Sequence, residues 1–527
     1  MRKGKLCIAP LLVLLPIMAF ATGGREAAEA EGPVVIDWLG YSPIAQPVEN
    51  SEFELAVEDK YDVDLNVWYV DKQQYDEALG IRFAAGEMPD YMLIFNPANI
   101  GKYAEQGVLA PITDDIFAKL PAYNKITEQY NADGTIYDDV MAEGKIYALR
   151  RININTAYPT VLCWRTDWLE NVGIDKIPTT LDEFTTALRK FAKEDPDGNG
   201  KADTYGLSDC SIGAFFGAFG PIPMYRYSSR TGQRLHWSMR NGELVLNVIL
   251  PEMKEALAYL AGLYKEGIID PEFVTSENKG GYWAVSHSFI NGRIGLTGRQ
   301  NFYHWAPPLS QGDQGGAVYI EFMKANPDSE FGKTFDLGPA PIGPKGKAGA
   351  YTLGYADVDT FAFTTKCVGD TRKVDVITRM IEDNLTDFDW FVYLNHGVEG
   401  VHFMITPAGV YTPTEDYTGT QATGAGLGVF TGGPTNPEFV KRVDPVRFTF
   451  ADKYDGPAYV PTKVPSTPAA DKYLGDLTRL ATETYVAIIS GAKPVSAFDG
   501  FVQTFLANGG EEVMEEANAV YSALKGQ

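Results

Sequence analysis

Residues 195–203 read Asp-Pro-Asp-Gly-Asn-Gly-Lys-Ala-Asp, with oxygen-bearing side chains at the first, third, fifth and ninth positions. Gly200 at the sixth position permits a sharp turn, and the backbone carbonyl of Lys201 falls at the seventh. This is the ligand order of an EF-hand loop, an arrangement that holds a hard, oxygen-seeking cation such as Ca2+. The expected ligands are Asp195, Asp197, Asn199, the Lys201 carbonyl and Asp203. At position twelve, where an EF-hand has a bidentate Glu, this chain has Gly206, and Thr204 is the only further side-chain oxygen nearby. The alternative reading of the same residues is a solvated turn, because Asp and Asn bond their own backbone and Gly tolerates positive φ without any ion.

The flanking segments decide whether such a loop moves or braces. Thr180 and Glu183 have the spacing of a capping box, and Leu181, Phe184, Leu188 and Phe191 recur at helical period. A helix is therefore expected to run into the loop through Lys193. The following Thr204-Tyr205-Gly206-Leu207-Ser208 is not helical. With no second helix to swing, a bound ion would stiffen the fold and would not expose a groove.

The first residues read as an address. Arg2, Lys3 and Lys5 precede an apolar run from Leu6 to Phe20, and Ala19-Phe20-Ala21 offers the small residues of a cleavage site, so residues 1–21 are expected to be a signal peptide. The run is shorter than the roughly 20 residues that span a bilayer. Its Cys7 lies upstream of the apolar core, leaving no Cys at the cleavage point to carry a lipid, so the product is expected to be periplasmic or extracellular without a lipid anchor. Residues 22–33, rich in Gly, Ala and Glu, read as a flexible leader. Removing Arg2, Lys3 and Lys5 moves the formal net charge from −24 to −27, which argues against nucleic acid as a partner. Cys163, Cys210 and Cys367 would remain, an odd number that makes no disulfide framework.

The remaining chain exceeds one ordinary domain, and two lobes are the simplest division. From Val34 the pattern alternates: apolar strand at 34–39, helix near 50–60, strand of period two at 63–69, helix through Tyr75, Leu79 and Phe83, strand at 91–95. Repeated βαβ units imply an α/β fold with a parallel sheet. Ligands in such folds sit beyond the carboxyl ends of strands, here at Gly40-Tyr41-Ser42 and Phe95-Asn96. Segments 235–239 and 243–248 flank Asn241-Gly242, a hairpin signal, and a helix follows at 252–265 with Gly267 beyond its end. A second α/β segment is expected near 338–363, a long surface loop at the Gly- and Thr-rich 417–434, and helices over the last 60 residues.

The order of short motifs resembles the extracellular solute-binding proteins of ABC importers, in the group that includes maltose and alginate oligosaccharide binders. The similarity is carried by Ala85-Gly86-Glu87-Met88-Pro89-Asp90, Tyr103-Ala104-Glu105-Gln106-Gly107-Val108-Leu109, Gly144-Lys145-Ile146-Tyr147-Ala148-Leu149 and Trp164-Arg165-Thr166-Asp167-Trp168-Leu169. It continues through Pro178-Thr179-Thr180-Leu181-Asp182-Glu183-Phe184, the 195–203 loop, Tyr264-Lys265-Glu266-Gly267-Ile268-Ile269-Asp270 and Phe289-Ile290-Asn291-Gly292-Arg293-Ile294-Gly295. The alginate-type loop is followed by a Glu where this chain has Thr204.

The resemblance implies a bilobal periplasmic-binding-protein fold, with two lobes joined by a multi-strand hinge and a cleft between them that closes on ligand. On that basis one lobe is expected at 34–155 plus 294–352 and the other at 156–293 plus 353–527. It further implies a monomer that binds an oligosaccharide and delivers it to the permease subunits of an importer, with a structural calcium ion. By the same analogy the cleft residues are expected to be Tyr41, Asn96, Tyr158, Tyr225 and Arg226 in the 220–230 loop, Arg299 and Tyr303. Flat aromatic faces suit the apolar side of a pyranose, while Arg and Asn bond its hydroxyls or carboxylate. Trp164, Trp283, Trp305 and Trp390 read as core residues. A polysaccharide lyase or glycosidase, or a sugar sensor without transport, is the alternative. The chain contains no His-Glu-x-x-His, Gly-x-Ser-x-Gly or P-loop lysine motif. His236, His287, His304, His396 and His402 have no metal-ligand spacing.

Overall fold

Strand Val34–Leu39, helix Glu52–Tyr61, strand Val63–Val67, helix Tyr75–Ala84 and strand Tyr91–Ile94 follow one another, and the three strands pair in parallel. The computed structural model describes residues 32–40, 45–71, 74–132, 134–224, 234–275, 286–345, 349–352 and 354–525. The expected signal peptide and almost all of the expected leader lie outside them. Helix Glu52–Tyr61 starts with reciprocal bonds, the Glu54 N–H donating to Ser51 Oγ and the Ser51 N–H to the Glu54 carboxylate. Phe53, Val57 and Tyr61, spaced at one helical turn, turn inward against Ile36, Trp38 and Leu65.

The first sheet has five strands in the order Val63–Val67, Val34–Leu39, Tyr91–Ile94, Ala356–Phe363, Leu149–Ile152. Ala356–Phe363 is antiparallel to both of its neighbours, so the sheet is mixed. The second sheet is ordered Phe335–Gly338, Val161–Arg165, Ile294–Gln300, Tyr205–Leu207. Among the described residues, the buried side chains divide with the sheets. Clusters around Trp38, Tyr91, Tyr103 and Ile152 draw on residues before 153 and on 356–430. Clusters around Trp164, Phe191, Tyr485 and Trp305 draw on 161–350 and 450–517.

These pairings correct the expected lobe boundaries. Strand Ile294–Gln300 pairs with Val161–Arg165 and Tyr205–Leu207, which places it in the second lobe. Strand Ala356–Phe363 belongs to the first. The crossings fall at 153–160, at 339–355 and between two short helices. In Pro437–Val443, Phe439 packs on Phe388 and Phe391 of the first lobe. In Arg447–Ala451, Phe450 packs on Phe302 and Phe331 of the second. Backbone bonds tie the first two crossings together: Asn153 N–H to the Tyr355 carbonyl at 2.8 Å and Thr160 N–H to the Tyr351 carbonyl at 2.9 Å.

The hairpin forms as expected, Trp237–Arg240 with Glu243–Leu246, turning through Asn241 and Gly242 at positive φ. Helices Pro251–Lys265, Pro468–Ile489, Ala497–Phe505 and Glu511–Lys525 occupy the expected segments. Trp164 and Trp305 are core residues, while Trp283 lies outside the described residues. Segment 417–434 is not a surface loop. Leu427, Val429 and Phe430 are buried, Trp38 Nε1 donates to the Val429 carbonyl, and the Tyr91 hydroxyl donates to the Gly432 carbonyl at 2.7 Å. Its glycines serve close packing: at Gly433, with φ +94°, a Cβ would stand 2.2 Å from the Phe361 ring.

Candidate functional site

A cavity of about 560 Å3 opens where the two lobes face each other. From the first lobe come Asn96–Asn99, the turn beyond the carboxyl end of strand Tyr91–Ile94, with Lys102 on helix Ile100–Glu105 and Arg150 on strand Leu149–Ile152. From the second come Arg234–Trp237 before the hairpin, residues 461–467, and Asp471, Leu474 and Thr478 along helix Pro468–Ile489. Ala356 contributes from the start of strand Ala356–Phe363 in the first lobe. The turn at Asn96 is held locally, its side chain accepting from the Ala98 N–H at 3.3 Å.

Arg150 is the anchored cation of this wall. It is 1% exposed, its guanidinium lies 3.2 Å from Asp139 and donates to the Ala356 carbonyl at 3.3 Å, and its N–H donates to the Tyr123 hydroxyl at 2.7 Å. One side chain therefore links its own strand, an acidic neighbour and the adjoining strand Ala356–Phe363. Behind the wall sits Asp76, whose carboxyl is pushed above the usual range by burial, against the opposing influence of an Asn99 hydrogen bond and the charges of Lys102 and Arg234. Opposite, burial raises the Asp471 carboxyl, and the Ser466 hydroxyl donates to it at 2.9 Å.

Trp237 and His236 are fixed from behind. The Tyr459 hydroxyl donates to the Trp237 carbonyl and accepts from Asn247 Nδ2 at 2.7 Å, while burial holds the phenol at about 12. His236 Nδ1 lies 3.2 Å from the Ile222 carbonyl, so that nitrogen carries the proton. At the rim the lobes touch. A Cβ on Gly101 would stand 2.5 Å from Ser466 Oγ and 2.9 Å from an Asp471 oxygen, so only a glycine fits this approach as it stands.

Of the residues expected in the cleft, Asn96 lines the cavity. Tyr41, Tyr225 and Arg226 lie outside the described residues, and of Arg299 only its backbone, within strand Ile294–Gln300, is described. Tyr158 and Tyr303 are not among the lining residues: they flank Phe302 in the second lobe's aromatic cluster, with ring centroids 5.4 and 5.7 Å from it. The Tyr158 hydroxyl donates to Asp452 at 2.8 Å, and Tyr303 accepts from Asn301 at 3.0 Å. Both tyrosines are partly buried in that cluster. Sequence reasoning missed Arg150, Lys102, Arg234, His236, Trp237 and the 461–467 segment. A signal existed for Arg150, since Leu149-Arg150-Arg151-Ile152 sets charge inside an apolar strand.

The 195–203 loop follows helix Leu181–Lys193, whose expected capping box is present, and precedes strand Tyr205–Leu207. Asp195, Gly198 and Gly200 have positive φ. Asp195 accepts from the N–H groups of Asn199 and Gly200 at 3.1 and 2.9 Å. The Asn199 amide donates to Asp197 at 2.8 Å and to Asp203 at 3.2 Å, so these carboxylates turn toward one point. Burial raises the Asp197 carboxyl, and Asp195 and Asp203 add to the rise. The donors are of the type and order that suit a hard cation. As they stand they are closed on the loop's own N–H groups, and among the described residues no group of three or more His, Cys, Asp or Glu side chains is gathered as a metal site. Thr204, the only further side-chain oxygen nearby, is engaged elsewhere, donating to the Phe191 carbonyl at 2.8 Å.

Two α/β lobes joined by three crossings, with a cavity between them, make a bilobal fold. Residues 44–284 match the family model described as bacterial extracellular solute-binding protein. The chain is 24% identical to Lipoprotein LipO of Bacillus subtilis over 514 residues, covering 96% of this chain and 94% of that protein. It is 23% identical to the polygalacturonan/rhamnogalacturonan-binding protein YtcQ of the same organism over 539 residues, covering 97% and 99%. Among solved structures, the alginate-binding protein AlgQ2 without calcium ion shares the fold, with a TM-score of 0.66 at 18% identity, covering 94% of this chain and 100% of that one.

Proposed function

We propose that this protein is the extracytoplasmic substrate-binding component of an ABC importer, capturing an oligosaccharide between its lobes and delivering it to a membrane permease. The observation that carries the reading is the cavity itself, walled by both lobes, so that a ligand bridging Asn96 and Trp237 would favour closure. Full-length similarity to a polygalacturonan/rhamnogalacturonan-binding protein supports a carbohydrate as the cargo. The protein acts as a binder and leaves its ligand intact. A thermal-shift screen over neutral and acidic oligosaccharides tests the reading, because a ligand bound only by the native state raises Tm by mass action. Incubation with any hit, followed by chromatography, separates binding from turnover: cleaved saccharide would assign an enzyme.

We further propose that the 195–203 loop takes up calcium through Asp195, Asp197, Asn199, the Lys201 carbonyl and Asp203. A cation at their shared point would replace the Asn199 amide as the positive partner of Asp197 and Asp203 and would brace the second lobe. The protein works outside the cytoplasm as a monomer, exported by the 1–21 segment.

A further inference from the structure

From the charge lining the cavity we infer that the oligosaccharide is anionic, a uronate-type saccharide whose carboxylates are met by Lys102, Arg150, Arg234 and Lys463. The inference rests on the carbohydrate reading above and narrows it. The chain as a whole is acidic, at −24, so its average surface repels such a ligand. The cavity reverses that sign: these four cations line it, against the carboxylates of Asp139 and Asp471. Asp139 is set against the buried Arg150 at 3.2 Å, and Asp76, close behind the wall, already lies within the fields of Lys102 and Arg234. Among the charged side chains that line the cavity itself, positive charge is in excess, opposite in sign to the chain as a whole. The cations also come from both lobes. Lys102 and Arg150 belong to the first, Arg234 and Lys463 to the second, so one polyanionic chain lying across the cleft would be attracted to both and would offset their mutual repulsion as the lobes approach. A neutral sugar would leave that repulsion in place.

The test compares galacturonic acid trimer with maltotriose by titration calorimetry on the full protein, at low and at physiological ionic strength. The expected result is at least tenfold tighter binding of the uronate, weakening as salt is raised, with no salt dependence for maltotriose. Lys463→Gln and Lys102→Gln, both on side chains reached by solvent, should each weaken uronate binding several-fold without lowering Tm. Equal or tighter binding of maltotriose overturns the anionic inference and leaves the carbohydrate reading standing. Failure of both sugars, and of every saccharide in the wider screen, overturns the two together. Uronate binding that both lysine variants and salt leave unchanged also overturns it, because charge would then not be what recognises the ligand.

Discussion

Gly101→Ala tests whether the contact at the cavity rim is part of the ligand-holding arrangement. Gly101 lies in the short helix Ile100–Glu105 of the first lobe and faces Ser466 and Asp471 of the second. Within its own lobe the substitution is favourable, since Ala exceeds Gly in helix propensity by up to about 1 kcal/mol. Across the cleft it is not: the new methyl would sit 2.5 Å from Ser466 Oγ and 2.7 Å from its Cβ. If Ser466 turns away, its 2.9 Å hydrogen bond to Asp471 is lost, at about 0.5–1.5 kcal/mol. If it cannot turn, overpacking costs about 1–3 kcal/mol. Because the penalty exists only when the lobes meet, it is subtracted from ligand affinity, giving a roughly twofold to 150-fold rise in Kd. Calorimetry with the best oligosaccharide measures that rise, and small-angle scattering in the presence of that ligand should show a larger radius of gyration than wild type. Tm of the free protein should be unchanged or raised. Ser466→Gly in the Gly101→Ala background removes the colliding atoms and should restore affinity. Wild-type Kd and wild-type dimensions in Gly101→Ala would refute the assignment of this contact to closure.

Gly433→Ala combines backbone strain at φ +94° with a methyl 2.2 Å from the Phe361 ring, and should cost at least about 3 kcal/mol in denaturant unfolding; a loss under 1 kcal/mol would contradict the packing described for 417–434. His396, lodged among the rings of Phe391, Phe403 and Tyr411, is lowered from 6.5 to about 4 by burial and then by the Arg447 charge. Its folded value lies below its unfolded one, so its contribution is fully present above pH 6.5 and is lost as pH falls toward 4, by at most about 3 kcal/mol. His396→Gln should flatten the fall in stability between pH 7 and 4.5, and an unchanged slope would show that His396 titrates normally. Calcium should raise Tm relative to chelator, and Asp197→Asn should diminish the rise; identical melting curves, with no metal in the purified protein, would exclude the ion. Intact-mass analysis should find a mature chain starting near Thr22 without a lipid; an acylated N-terminus would refute the lipid-free reading, and a start retaining Arg2 would refute cleavage.

What the sequence determined by itself was local. Helical and strand periods, the capping box at Thr180 and Glu183, and the Asn241-Gly242 turn act over a few residues, and each forms where its pattern lies. The order of motifs was sufficient to indicate two lobes and a solute-binding fold. Lobe membership was not legible, because it depends on which strand donates to which across hundreds of residues. Ala356–Phe363 reads the same whether it joins Tyr91–Ile94 or the second sheet, and only the hydrogen bonds decide. The 417–434 segment has loop composition, yet its carbonyls are required by the buried donors of Trp38 and Tyr91, a need that exists only once the sheet is built. The cavity follows the same rule. Asn96 could be anticipated because a strand end positions it locally, whereas Arg150, Arg234 and Lys463 meet only when the hinge brings distant segments face to face. Tyr158 and Tyr303 pack, partly buried, against Phe302, a contact set by tertiary structure and not by local pattern.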